Sequence, residues 1–421
     1  MTTDTNGTAP AHADGAARPI LVLAFSGGLD TSYCARRFSR ERDAELHTVV
    51  VDTGGFTDAE LARIEERAYA LGATRHVAID AQREFYDRCV RYLIYGNVLR
   101  NHTYPLSVSA ERLFQAVRIA EYARSVGARF VAHGSTGAGN DQVRFDMVFR
   151  VLSPDAEILT PIRDEKLSRR ETTSYLQEQG VEIAWEKSRY SINKGLWGTS
   201  VGGAETLTSH LTLPEEAWPT PVTATAPRAI TLRFEKGELR GVDGETFDPV
   251  DAIKRVEEIA APFGVGRDVH VGDTIVGIKG RVGFQASGPM VIIRAHQLLE
   301  KHTLTKWQLH WKDQLGGWYG GFTHEALFQE PVMRDIETFL QSTQARVTGE
   351  VEVMLHPHRF ELIGIRSPYD MLQSGFGTYG EENGAWSGDD VRGYTAVLSV
   401  PILLHASVGD VADAHITEEK R

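Results

Sequence analysis

The sequence predicts an α/β protein, a parallel-sheet domain followed by a second α+β domain. Three observations carry that expectation. The run "ILVLAF" is apolar without alternation, as expected of a strand covered on both faces, and "LHTVVVD" reads as the next strand. Strand-like and helix-like stretches alternate as far as about Gly180, the pattern of right-handed βαβ units. Two of the strands break into glycine loops, "SGGLDTS" at Ser26–Ser32 and "GSTGAGND" at Gly134–Asp141, on the carboxyl side where open parallel sheets receive ligands.

Taken in order, "ILVLAF" from Ile20 is the first strand, and Thr31–Arg42 reads as a helix whose start lies near Asp30. "LHTVVVD" is the second strand, Thr57–Gly72 a helix closed by its glycine, and "RHVAI" a short third strand. A helical stretch around Phe85–Tyr95 precedes a longer helix, Ser109–Val126, with Leu113, Val117, Ala120 and Ala123 on one stripe. "RFVAH" is the next strand. Beyond Gly180 the character changes: "YSINKGLWGTSVGG" and "LPEEAWPTPVTATAPRA" read as long loops into a second domain. That domain mixes strands ("AITLRFE", "EVEVML") with helices near Pro249–Ala260 and Val332–Gln344.

Composition sets limits. With 421 residues, 42% hydrophobic and 24% charged, the chain can bury a substantial core. A net charge of −12 argues against nucleic acid as a partner, because phosphate backbones select basic surfaces. Cys34 and Cys89 form no CxxC pair, so neither a disulfide framework nor a zinc site is indicated, and a reducing compartment is expected. Residues 1–18 lack both a basic start and an apolar run, so they read as a disordered tail and not a signal peptide. No segment has the apolar length of a membrane helix. The chain is expected to be soluble and cytoplasmic, so the sequon-like Asn101-His102-Thr103 carries no glycosylation meaning.

Gly27 and Gly28 can turn successive N–H groups toward one point, an anion nest. The helix starting near Asp30 adds its positive end, and Ser26, Thr31 and Ser32 add hydroxyls. A bare Gly-Gly with Asp30 as a cap would be only a tight turn; the clustered hydroxyls favour a phosphate site. No Walker A is present, nor any Gly-Lys pair in the chain. The GxGxxG string "GFGTYG", Gly375–Gly380, follows polar residues and is discounted as a dinucleotide fingerprint. A phosphate nest without the bridging lysine suits pyrophosphate as a leaving group. Farther along, Asp141 puts a carboxylate beside the phosphate site, where it needs an ammonium group or Mg²⁺ as a partner, and Arg144 can present a donor fork to a carboxylate or phosphate.

"LAFSGGLDTS" resembles the PP-motif of the N-type ATP pyrophosphatases. Together with "HGSTGAGNDQVRFD" and "YSINKGLWGTSVGG", then "GVGR", "IKGR" and "RSP", it resembles the argininosuccinate synthase family from Ile20 to about Pro368. The resemblance implies an adenine nucleotide α-hydrolase-like ATP-binding domain over residues 19–180. A synthetase and multimerisation domain would follow over 181–400, with a segment over 401–421 exchanged between the subunits of a homotetramer. It implies ligation of citrulline to aspartate through a citrullyl-adenylate, with ATP and Mg²⁺, releasing AMP and pyrophosphate. On that resemblance Ala24, Phe25, Ser26, Gly27, Gly28, Leu29, Asp30, Thr31, Ser32, Val51 and Gly134 would contact ATP. Thr136, Asn140 and Asp141 would hold aspartate. Tyr104, Ser109, Arg144, Ser191 and Ser200 would bind citrulline, with Asn140 reaching it too. Asp30, Asp141 and Arg144 would carry the chemistry by position and charge, since no histidine or glutamate stands out as a general base.

Two positions depart from the family pattern. Gly272 and Phe284 stand where a glutamate and a tyrosine usually meet the amino-acid end of citrulline; Asp273 is placed to compensate. An alternative is therefore a related ligase adenylating another ureido or amide compound. "GTSVG" at Gly198–Gly202 fits a serine-hydrolase elbow but lacks the buried strand before it. A nucleotide-binding regulator is the remaining class. His356 and His358 in "LHPHRF" read as solvated, "LGGWYGGF" as packing between subunits, and "YTAVLSVPILL" as an interface run.

Overall fold

The computed structural model describes residues 17–181, 189–376 and 384–408. The expected tail, apart from Ala17 and Arg18, lies outside the described residues, as do 409–421 and the last four residues of "GFGTYG". The chain divides into two compact units, Met1–Tyr369 and Asp370–Arg421.

The first unit opens with β1 (Ile20–Ala24), α1 (Leu29–Glu41), β2 (Glu45–Asp52), α2 (Asp58–Ala70) and β3 (Arg75–Asp80). A capping box between Thr57 and Glu60 starts α2. Next come α3 (Gln82–Phe85) and α4 (Arg91–Tyr95), joined through a π-helical stretch, and then the long α5 (Ser107–Ser125). The domain closes with β4 (Phe130–Ala132), α6 (Asp141–Leu152), β5 (Glu157–Leu159), α7 (Pro161–Asp164) and α8 (Arg169–Glu178). All pairings in this sheet are parallel, in the order β3-β2-β1-β4-β5. The winding reverses between β1 and β4, and such a switch point opens a crevice at the carboxyl ends of the strands. Both glycine loops leave those two strands, so topology alone brings them together.

The remainder of the unit carries β6 (Ser191–Gly195), β7 (Gly198–Gly202), β8 (Arg228–Glu235), β9 (Glu238–Val242), β10 (Glu245–Thr246), α9 (Pro249–Ala260), β11 (Arg267–Asp273) and β12 (Lys279–Gln285). Helices α10 (Ser287–Thr303), α11 (Lys306–His324) and α12 (Pro331–Thr343) precede β13 (Gly349–His356) and β14 (Arg359–Arg366). These strands form two antiparallel sheets, β10-β9-β8-β13-β14 and β11-β12-β7-β6. The α/β expectation holds, with a parallel first sheet and a mixed second part. One large core cluster joins side chains from both sides of residue 180, among them Val22, Phe114, Trp197, Phe284 and Ile292.

One local expectation needs correction, and two further segments find their places in the fold. "YSINKGLWGTSVGG" is not a loop: residues 191–202 form the β6–β7 hairpin. Its turn residue Trp197 is 1% exposed and donates its indole N–H to the Pro105 carbonyl at 2.9 Å, which anchors a glycine-rich segment that composition alone reads as irregular. "LGGWYGGF" lies inside α11. A Cβ at Gly316 would sit 2.4 Å from the Gly96 carbonyl oxygen and one at Gly320 2.5 Å from Val98, so these glycines permit close helix packing. "LHPHRF" is the β13–β14 hairpin turn, with His358 in the left-handed region at φ 66°.

A buried polar cluster fastens α10 and α11 to the turn after α4. Lys312 Nζ lies 2.9 Å from Glu300 Oε2, both side chains fully buried, and donates to the Tyr95 carbonyl at 3.2 Å. Asn97 also donates to Glu300, and Gln344 Nε2 donates to its other oxygen at 3.0 Å.

The second unit carries α13 (Gly388–Leu398), started by a Ser387–Asp390 capping box, and α14 (Val400–Ser407). Val397, Ile402, Leu403 and Leu404 are exposed on them. Among the described residues no helix is long and apolar enough to cross a membrane.

Candidate active site

The Ser26–Ser32 loop is built in two layers. Gly27 takes φ +72°, and its carbonyl accepts from Arg67 Nη1 and, at 3.5 Å, from the Ser32 hydroxyl. Gly27 and Ser32 are buried and brace the turn from behind. Ser26 and Gly28 are exposed on the other side, Ser26 Oγ lying 3.4 Å from Thr31 Oγ1 and accepting from the Gly28 N–H at 3.4 Å. Gly28, not Asp30, is the N-cap of α1, and no side chain caps that helix. The first N–H groups of α1 are therefore left for a ligand. Burial raises the Asp30 carboxyl above its usual range, with Arg169 opposing.

The second glycine loop closes over the first. A Cβ at Gly134 would lie 3.1 Å from the Thr31 nitrogen, so a side chain there would push the two loops apart by a few tenths of an ångström. Behind it, Ser135 donates its N–H to His133 Nδ1 at 3.2 Å, leaving Nε2–H to meet Asp146 at 2.9 Å.

Between the loops lies a cavity of about 490 Å³. Ala24, Phe25, Ser26, Gly28, Leu29, Asp30, Thr31, Val51 and Gly134 line it, together with Thr136, Asp141 and Ser191. A smaller cleft of about 210 Å³ adjoins Asn140 and Arg144 and is lined by Tyr104, Ser109, Ser200 and Gly272 as well. Ser191 thus falls on the larger cavity, apart from the other four residues expected to share a substrate with it. Phe284 lines neither cavity: it is fully buried behind Tyr104, ring centroids 5.3 Å apart. "GTSVG" is strand β7 itself, so Ser200 sits in extended backbone and not on an elbow.

The two cavities meet at the start of α6. Arg144 Nη1 pairs with Asp141 Oδ1 at 2.9 Å, Nη2 donates to Ser109 Oγ at 3.1 Å, and Nε donates to the His324 carbonyl at 3.3 Å. Arg112 approaches Asp141 from the other side, Nε to Oδ2 at 3.6 Å, and donates to Asn193 Oδ1 at 2.6 Å. Asn140 Oδ1 accepts from the Ile275 N–H at 2.9 Å, which ties the glycine loop to the β11–β12 turn.

Sequence reasoning missed several neighbours of these residues. Arg112 and Gln115 line the larger cavity from the α5 face that carries Ser109. Arg112 follows Ser109 by three residues and Gln115 follows Arg112 by three more, a usable signal. Glu111, fully buried beside them, has its carboxyl pushed up to about 7 by burial, with Arg112 opposing. His270 and His324 line the smaller cleft, and no sequence pattern marks them. Burial above all, then Arg144 and Arg100, lowers His324 to about 3, so its ring is neutral. Because Arg144 Nη2 can only donate, at 3.4 Å, His324 Nδ1 accepts and the proton sits on Nε2. Asp273, expected to compensate for Gly272, lies on the cleft paired to Lys279 Nζ at 2.6 Å. Among the described residues no group of three or more His, Cys, Asp or Glu side chains is arranged to hold a metal ion.

A parallel sheet with its switch-point crevice, a phosphate-ready helix start and an adjoining charged cleft define a nucleotide-dependent α/β enzyme of the HUP type. Family models agree: the arginosuccinate synthase N-terminal HUP domain matches residues 20–182, and the C-terminal domain of the same family matches 190–404. An argininosuccinate synthase of Methanocaldococcus jannaschii is 36% identical over 366 residues, covering 86% of this chain and 92% of that protein. Its counterpart from Xanthomonas campestris is 34% identical over 400 residues, 92% and 98% of the two chains. One from Pyrococcus furiosus is 36% identical over 363 residues, covering 85% and 88%. The chain belongs to the argininosuccinate synthase family, a family of ATP-dependent ligases.

Proposed function

We propose that this protein joins citrulline to aspartate at the expense of ATP, forming argininosuccinate, AMP and pyrophosphate. The observation that carries the reading is the Asp141–Arg144 pair, a charged hinge between a cavity of nucleotide size and a small polar cleft.

In this reading the unpaired N–H groups at the start of α1 and the Ser26 and Thr31 hydroxyls hold the β- and γ-phosphates of ATP. The ureido oxygen of citrulline, held in the smaller cleft, attacks the α-phosphorus, and the bond to the bridging oxygen breaks as pyrophosphate leaves. The aspartate amine then attacks the ureido carbon, and AMP departs carrying the former ureido oxygen. Asp141 is suited to an approaching ammonium group, and Thr136 and Ser191 flank the same space. Positioning and fixed charge supply most of the acceleration. A Mg²⁺ ion entering with the nucleotide would be held by phosphate oxygens and the Asp30 carboxylate, and would draw charge from the leaving pyrophosphate. A homotetramer is proposed as the working assembly, with the exposed apolar residues of α13 and α14 as the covered surface, and the cytoplasm as its compartment. Incubation with ATP, Mg²⁺, aspartate and citrulline tests the reading: it requires AMP and pyrophosphate, and ADP with orthophosphate as primary products would refute it.

A further inference from the structure

The smaller cleft is rich in donors and poor in anions. Among the described residues lining it, Asp273 is the one carboxylate, and it is more than half exposed and already bonded to Lys279. Facing it are the Arg144 guanidinium and two histidines. His324 is 6% exposed; its Nε2, which carries the proton, is buried in the cleft wall with the Asp273 backbone beside it and no well-formed hydrogen bond. Such a poorly satisfied buried donor costs stability unless a ligand accepts from it. His270 stacks on Tyr104 with ring centroids 5.2 Å apart, and its Nε2 lies 2.5 Å from where a Cβ at Gly272 would be. The imidazole thus fills the space a side chain at 272 would need, and no carboxylate can enter from that strand position. Arg100 donates to the Asp273 carbonyl at 3.4 Å and adds positive field to both histidines.

We infer that the cleft recognises a ureido compound through a carboxylate and makes no use of an ammonium group on the same molecule. The inference rests on the ureido-acceptor reading above and narrows it: acceptors lacking the α-amino group are substrates in their own right. The acceptor's carboxylate takes the His324 Nε2–H and the field of Arg144, and its α-carbon end lies against the His270 ring.

The test measures pyrophosphate release by the full chain with ATP, Mg²⁺ and aspartate held constant. Three acceptors are compared: citrulline, δ-ureidovalerate (citrulline without the amine) and N-carbamoylputrescine (citrulline without the carboxylate). Loss of one charged hydrogen bond weakens binding by about ten- to a hundredfold. The expected result is δ-ureidovalerate within about threefold of citrulline in kcat/KM or better, and N-carbamoylputrescine at least about a hundredfold worse. His324→Gln should raise KM for citrulline and δ-ureidovalerate together by about tenfold while KM for ATP stays put. Turnover of citrulline with δ-ureidovalerate more than about tenfold worse would overturn the inference and leave the ligase reading standing. Equal KM values in His324→Gln and wild type would overturn the role given to that ring. Silence with all three acceptors would bring down the ligase reading itself, and the inference with it.

Discussion

Asp141 and Arg144, one helical turn apart at the start of α6, form a 2.9 Å ion pair whose acidic member lines the larger cavity while its basic member lines the smaller cleft. In the proposed reading, a ligand in one cavity therefore meets a charge paired to the wall of the other. Asp141→Asn should keep the fold, since the residue is partly exposed, and free Arg144 to reorient. A fall of about ten- to a hundredfold in kcat/KM for aspartate, with KM for citrulline also raised, is expected from steady-state kinetics. Unchanged constants for both substrates would show that the pair is ornamental to binding.

Asp30 sits in the first turn of a helix whose cap is the backbone of Gly28. A merely structural carboxylate there would be replaceable at the cost of one favourable interaction with the helix dipole, about 0.3–1 kcal/mol. Asp30→Ala is instead expected to cripple turnover while the circular dichroism spectrum and melting temperature stay close to wild type. Normal turnover in the variant would reduce the residue to a dipole partner.

Ser200 lies in strand β7 on the smaller cleft, proposed above to hold the acceptor, and has no histidine base among its hydrogen-bond partners. Ser200→Ala should raise KM for the acceptor and leave KM for ATP unchanged. The wild-type protein should remain unlabelled by a fluorophosphonate; stoichiometric labelling at Ser200 would restore a hydrolase reading.

Glu111 gives a pH-dependent signature. Its folded carboxyl is raised by burial to about 7 from 4.5, so the folded state holds the proton more tightly than the unfolded state. Stability on its account is fully present below about pH 4.5 and is lost as pH rises through about 7. Glu111→Gln removes that loss. Urea unfolding should show the variant gaining about 1–3 kcal/mol on wild type between pH 4.5 and 8. A stability difference independent of pH would contradict the assignment.

Lys312 and Glu300 are both completely buried and ion-paired at 2.9 Å. Lys312→Ala leaves Glu300 charged without its partner, an arrangement that costs about 3–5 kcal/mol. Replacing the lysine with methionine keeps the volume and should still be strongly destabilising. Thermal unfolding close to wild type in either variant would mean that Asn97 and Gln344 suffice to hold the carboxylate.

How much of this was readable in advance follows from where the information resides. β1 announces itself because a strand covered on both faces must be apolar throughout, and β2 by its Val49–Val51 run. β4 shows as "RFVAH", whereas β5, three residues long with an exposed glutamate at its start, is too short for any periodicity to register. Helix α11 was hidden by its own glycines, which look like breakers until Gly96 and Val98 are seen pressed against them. The glycine loops were legible, since glycine beside clustered hydroxyls has few other uses. Arg112 showed only through its spacing from Ser109, and His270 and His324 not at all. They reach the site from a helix flank, a strand and a helix end far apart in sequence, and only the packing of the β11–β12 and β6–β7 strands against α5 and α6 assembles them.

The central claim is that the ureido oxygen attacks the α-phosphorus of ATP, and one labelling experiment follows that atom directly. Citrulline carrying heavy oxygen in its ureido group, turned over with unlabelled ATP and aspartate, should deliver the label to AMP, one atom per molecule, with none in pyrophosphate or argininosuccinate. Unlabelled AMP, or heavy oxygen in orthophosphate accompanied by ADP, would contradict the account.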